Sequence, residues 1–185
     1  MLRHLMRIAV LLPALCYAAL AADAVNLWLD VPFVRQQKDG CGAASISMVM
    51  QYWQQHQDLP ADSASDYSHI QRELYSRRAH GIYASAMERY FRQNGYRVFA
   101  FSGRWEDFAR ELAKGRPLIA ALKPVAGSSE LHYVVVVGLD EPDHLVLLND
   151  PDQRKLLKED QSTFAHDWEA TDNWTLLAVP AAPAQ

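Results

Sequence analysis

The spacing of hydrophobic positions changes halfway along the chain. From Cys41 to Gln54 the apolar residues Ala44, Ile46, Met48, Val49, Tyr52 and Trp53 recur at helical intervals, which predicts a buried helix opening at Cys41. The stretch before it, "LWLDVPFV", reads as an extended entry, and "DLPADSASDYS" after it reads as a loop. Ser65 or Asp66 then caps a short helix ending at Leu74. "ASAMERYFRQNGY" predicts a third helix stopped by Asn94-Gly95. "YRVFAF" alternates like a strand, and "WEDFARELAKGRP" is a fourth helix closed by Gly115 and Pro117. Beyond it come the β-branched and leucine-rich runs "LIAAL", "HYVVVVGL" and "HLVLLND". The last two form a hairpin through Asp140, Glu141, Pro142 and Asp143. "TFAHDWEA" predicts one more short helix and "NWTLLAVP" a final strand. Helices first and a mostly antiparallel sheet second is an α+β layout. A single domain over 23–185, ending in a short Pro/Ala tail, is the expected organisation.

Residues 1–22 do not fit that layout. A basic start, "MLRHLMR", precedes the apolar run "IAVLLPALCYAALAA", and Ala19-Leu20-Ala21 supplies a small-x-small cleavage pattern. The expectation is a signal peptide cleaved near Ala21, hence an exported protein, periplasmic or secreted. Leu15 before Cys16 argues against lipidation. The mature chain then keeps one cysteine, Cys41, forms no internal disulfide and has no stable membrane insertion. The formal net charge is −4 and no Lys/Arg run stands out, so nucleic acid is not an expected partner. Small size and modest charge favour a monomer.

A lone thiol in an oxidising compartment draws attention to its surroundings. Cys41 stands between Gly40 and Gly42 at a helix start, where unpaired N–H groups and the helix dipole favour a thiolate. The two glycines are expected to clear the approach of a carbonyl to the sulfur. Gln36 can supply an amide donor to an oxyanion beside the Cys41 N–H, with Gln37 as the alternative register. His132 heads the strand "HYVVVVGL" and can move the thiol proton. Asp150 closes the following strand; a hairpin returns it to the same edge as His132, where its carboxylate can orient the imidazole. Asn149 is a rival orienter. Asp39 is a candidate cap of the Cys41 helix and receives no catalytic role. His56, His69, His80, His144 and His166 lack metal-ligand spacing, so no metal or other cofactor is expected. Trp53, Trp105, Trp168 and Trp174 are expected in the core or the cleft wall. The loop from Val125 to Leu131 and the segment from Gln57 to Ala84 are expected to border the cleft.

The triple "VPFVRQQKDGCGAAS", "HYVVVVGLD" and "LLNDP" resembles cysteine-peptidase family 39, the bacteriocin-processing or double-glycine peptidase-like group of the papain-like superfamily. The likeness runs from about Leu27 to Pro180. It implies a papain-like fold, with Cys41 as nucleophile, His132 as general base and acid, Asp150 as orienter and Gln36 as the oxyanion-hole side chain. It also implies a peptide or protein substrate, cut in limited proteolysis or processing. Family members usually form the cytosolic front end of an export ATPase. This chain is expected to be exported and to stand alone, so double-glycine leader specificity does not carry over. The alternatives are a non-catalytic peptide-binding module on the same fold, or an acyl transferase or amidase using the same triad.

Overall fold

Cys41 does open a helix. In the computed structural model, which describes residues 26–57, 62–124 and 131–181, α1 (Cys41–His56) is buried almost continuously from Gly42 to Met50. The expected signal segment 1–22, residues 125–130 of the expected cleft loop and the tail 182–185 lie outside the described residues. Ahead of α1 runs a short strand, β1 (Asn26–Trp28). After it come a 3-10 turn at Ser63–Ser65, α2 (Tyr67–Leu74) and α3 (Ala84–Gln93). Asp66 caps α2, accepting from His69 N–H, and Gly95 takes φ +84 just past the end of α3. Then follow β2 (Tyr96–Ser102), α4 (Trp105–Leu112), β3 (Leu118–Leu122), β4 (His132–Asp140), β5 (Leu145–Asp150), β6 (Arg154–Asp160), α5 (Gln161–Glu169) and β7 (Trp174–Pro180).

The strands form one seven-stranded antiparallel sheet in the order β2-β7-β3-β4-β5-β6. β1 pairs with β4 from Trp28↔Gly138 onward, continuing the edge that β3 leaves at Leu118↔Val136. The apolar run of β4 is explained by burial on both faces. Tyr133, Val135 and Val137 pack with α1 and α3, whereas Val134, Val136 and Leu139 pack with Phe108 of α4 and Phe164 and Trp168 of α5. Successive side chains point to opposite faces, so two cores require an unbroken hydrophobic sequence. This is the α+β arrangement expected, helices packed on an antiparallel sheet, with α1 lying against β4 inside the sheet.

Two elements depart from expectation. β6 was not anticipated, because "RKLLKED" is charged at most positions; it is the outer strand next to β5, where charge opposes edge-to-edge pairing. The β4–β5 turn falls one residue later than expected, over Glu141–His144, with His144 at φ +53. Among the described residues no helix is long and apolar enough to cross a membrane.

Asn149 does not orient the histidine. It is fully buried, its Nδ2 donates to the Val31 carbonyl (3.0 Å), and its Oδ1 accepts from Leu156 N–H (3.1 Å). It therefore pins the entry segment and β6 to β5. Asn149→Ala strands a buried carbonyl and a partly buried N–H, and is expected to lower stability by about 2 kcal/mol in urea unfolding. A loss below about 1 kcal/mol would show that these bonds are replaceable by water.

Candidate active site

The α1 N-terminus is electrostatically bare. Gly40 is its N-cap, no side chain caps it among the described residues, and no acidic residue occupies its first turn. Asp39 is thus not the cap: it sits at φ +56 with Oδ2 accepting from the Tyr75 hydroxyl (3.1 Å). The positive end of the helix dipole acts on Cys41 without a neutralising carboxylate in that turn. The flanking glycines also serve differently from expectation. Both are buried. A Cβ on Gly40 would collide with the Tyr67 hydroxyl, and one on Gly42 would press on Ile82 and Tyr133. They let the helix start pack closely; clearance for a substrate is not what requires them.

Two ties fix Cys41, one to the sheet and one to α2. Ser45, one turn into α1, donates its hydroxyl to the Tyr133 carbonyl (3.2 Å). The Tyr67 hydroxyl accepts the Gln37 N–H (2.8 Å) and steadies the loop entering the helix. Cys41 Sγ lies 3.8 Å from the Leu131 carbonyl and shares a cleft with the His132 imidazole, whose pKa it helps to raise.

The β4–β5 hairpin brings His132 and Asp150 together. Register runs from Asp140↔Leu145 at the turn to Val135↔Asn149, with an irregularity between Val136 and Gly138. The strand start and strand end meet at one edge, and His132 Nε2 lies 2.9 Å from Asp150 Oδ1. That contact leaves Nδ1 as the ring nitrogen for the sulfur. Asp150 Oδ1 also accepts Asp152 N–H (2.9 Å), and Oδ2 accepts from Gln153 Nε2 (2.9 Å).

Burial on its own would lower the His132 pKa. The hydrogen bonds to Asp150 and Cys41, with their charges, outweigh it and raise the pKa to about 10. Asp150 moves the opposite way. Burial would raise it, but the His132 bond and charge, then Asp152 N–H and Gln153, hold it below the usual carboxylate value. The two shifts agree in sign with an imidazolium–carboxylate pair.

Gln36 and Gln37 separate cleanly. Gln36 lines a cleft of about 290 Å³ together with Cys41, His132 and Asp150, whereas Gln37 is exposed and does not line it. Gln36 Nε2 donates to Asp152 Oδ1 (3.1 Å). Leu131 and His80 border the same cleft, as expected for the segments that hold them. Asp152, Gln153, Glu159 and Asp167 also line it and were not singled out from sequence. Asp152 and Gln153 had a usable signal, since they follow Asp150-Pro151 in the turn that ends β5. Glu159 and Asp167 had none, because β6 and α5 must fold first. Glu159 titrates high, through burial and then the nearby Asp167, Asp150 and Asp160 charges, with His132 partly offsetting them. The four singled-out tryptophans do not line the cleft: Trp53 and Trp168 donate to carbonyls of Ala178 and Trp174, Trp174 stacks edge-on with Tyr133, and Trp105 with Phe108.

A thiol, an imidazole, a carboxylate and an amide donor converge at the bare end of a helix, which is the equipment for acyl transfer. The model of the Peptidase_C39 like family matches residues 28–175. Among solved structures, a C39-like peptidase from Bacillus anthracis superposes with TM-score 0.63 at 16% identity, covering 85% of this chain and 99% of that one. The peptidase domain of Streptococcus ComA, a bifunctional ABC transporter of a quorum-sensing pathway, gives TM-score 0.60 at 18% identity over 80% and 96%. A double-glycine-motif protease from an AMS/PCAT transporter, solved with its leader peptide, gives 0.60 at 19% over 85% and 99%. No curated protein matches the sequence at a significant level. At such identities the structural likeness establishes the fold.

Proposed function

The chain belongs to the Peptidase_C39 like family, and from that premise we propose that it is an exported cysteine peptidase working through Cys41, His132, Asp150 and Gln36. Cys41 Sγ attacks a peptide carbonyl, and the oxyanion that forms is held by a Gln36 Nε2–H and the Cys41 backbone N–H. His132 delivers its proton to the leaving amine. It then takes a proton from the water that cleaves the thioester, and Asp150 orients it throughout. One observation carries the reading: the His132 imidazole is bonded to Asp150 (2.9 Å) in the same cleft that Cys41 and Gln36 line. Peptide is the favoured substrate because a protease of the same fold was solved with its leader peptide. Export is supported by the basic start and apolar run of residues 1–22, and limited processing of a secreted or periplasmic peptide by a monomer fits such a location.

Alkylation tests the activated thiol. At about pH 6 an ordinary cysteine is almost wholly protonated and reacts slowly with iodoacetamide. Labelling of Cys41 in the wild type is expected to be at least about 10-fold faster than in His132→Ala at that pH. Equal rates in the two proteins would remove His132 from the activation of Cys41.

A further inference from the structure

The turn that ends β5 holds both sides of the site. Asp150 Oδ1 accepts from Asp152 N–H, and Asp150 Oδ2 accepts from the Gln153 amide. The Pro151 carbonyl accepts Gln36 N–H (2.9 Å), and Arg35 donates to the carbonyls of Asp152 (3.3 Å) and Gln153 (2.7 Å). Residues 150–153 thus lock the segment before α1 onto the carboxylate that faces His132.

Those backbone contacts do not decide which way the Gln36 carboxamide faces. Its nitrogen and oxygen ends are nearly the same shape and opposite in hydrogen-bond character. Gln36 Oε1 is buried without a partner among the described residues. Among the described residues the Gln36 side chain is bonded through Nε2 to Asp152 Oδ1. A carboxylate only accepts, so it selects the nitrogen end and rejects the oxygen end. It engages one N–H and leaves the other N–H of the same nitrogen available at the cleft wall that Gln36 and Asp152 share. A reversed amide would present an oxygen to the oxyanion and repel it.

We propose that Asp152 is a positioning residue for the oxyanion hole, holding the Gln36 amide with its nitrogen rather than its oxygen presented to the cleft. The proposal rests on the peptidase reading above. The Asp152 carboxylate touches no reacting atom and acts through Gln36; the Asp152 N–H on Asp150 is kept in an alanine variant. It follows that Asp152 matters only to species in which a substrate oxygen carries negative charge.

Two probes of Cys41 separate that from a general structural role. Acetyl-glycyl-glycinal adds reversibly: the C–S bond forms, the carbonyl π pair moves to oxygen as its negative charge, and the thiol proton stays on His132 as the imidazolium. No further reactant is needed, and the new oxygen sits where the hole is. Iodoacetamide alkylates by displacing iodide and builds no such oxygen. Asp152→Ala is expected to weaken aldehyde inhibition by about 10-fold while leaving the iodoacetamide rate within about 2-fold. In a Gln36→Ala background the same substitution is expected to add nothing. Unchanged or tighter aldehyde binding in Asp152→Ala, or a full loss persisting without Gln36, overturns the proposal. Failure of the peptidase reading looks different: the wild type then shows no aldehyde inhibition and alkylates no faster than His132→Ala, which sinks both.

Discussion

Cys41→Ala is expected to abolish hydrolysis of peptides, lowering kcat by at least about 10⁴-fold, while the chain stays folded. The two halves of that result have separate causes. Loss of the sulfur removes the bond-forming atom, and the residual rate comes from the oxyanion donors acting on water alone. The fold survives because Cys41 is only partly buried, at the first position of α1, and a methyl group there meets no steric demand. Its stability is expected to change by less than about 1 kcal/mol, read by urea unfolding. Cleavage of an unstructured peptide mixture, followed by mass spectrometry, gives the catalytic half. Hydrolysis that persists in Cys41→Ala would place the nucleophile elsewhere. A biological effect that persists in the hydrolysis-dead protein would point to a peptide-binding module built on the same fold.

Helix α1 and the β4–β5 hairpin were legible in the sequence because their signals are local. The run from Ala44 to Trp53 has helical period, and the two apolar strands bracket a turn of Asp, Glu and Pro. From the hairpin alone it follows that His132 and Asp150 share an edge, since antiparallel pairing returns the second strand's end to the first strand's start. The 2.9 Å contact between them follows from that shared edge. β6 was not legible because "RKLLKED" is charged at most positions and lacks strand alternation; it is held by pairing with β5, Leu148 with Leu157, and by the Asn149 bond to Leu156 N–H. For the glycines beside Cys41 the deciding contacts are distant in sequence. Their spacing suggests an open approach, but Tyr67 and Ile82, brought in from elsewhere in the chain, occupy the space. Asn149 and Asp150 are adjacent and of equal size, and only strand alternation assigns one to the buried anchor and the other to the histidine.

Asp150→Asn is expected to move the alkaline limb of kcat/KM downward and to lower kcat/KM at neutral pH by about 10²- to 10⁴-fold. In the wild type, burial pulls the His132 pKa down, and the Asp150 and Cys41 contacts carry it up to about 10. Asparagine preserves the shape and an acceptor oxygen but removes the charge, so burial regains weight and the imidazolium releases its proton at lower pH. The limb that marks imidazolium loss therefore falls from about 10 toward the ordinary histidine value of 6.5. Stability follows the same signs. The folded pKa of His132 lies above its unfolded value, so its contribution is whole below 6.5 and is lost as pH rises to about 10. Asp150 is held below 3.8, so its contribution is whole above that value and is lost as pH falls through the folded one. Wild-type urea midpoints should thus decline on both flanks, and Asp150→Asn should flatten both declines together. If the alkaline limb stays in place in Asp150→Asn, the proton on His132 is held by Cys41 alone, and Asp150 serves only to anchor the turn through Asp152 and Gln153.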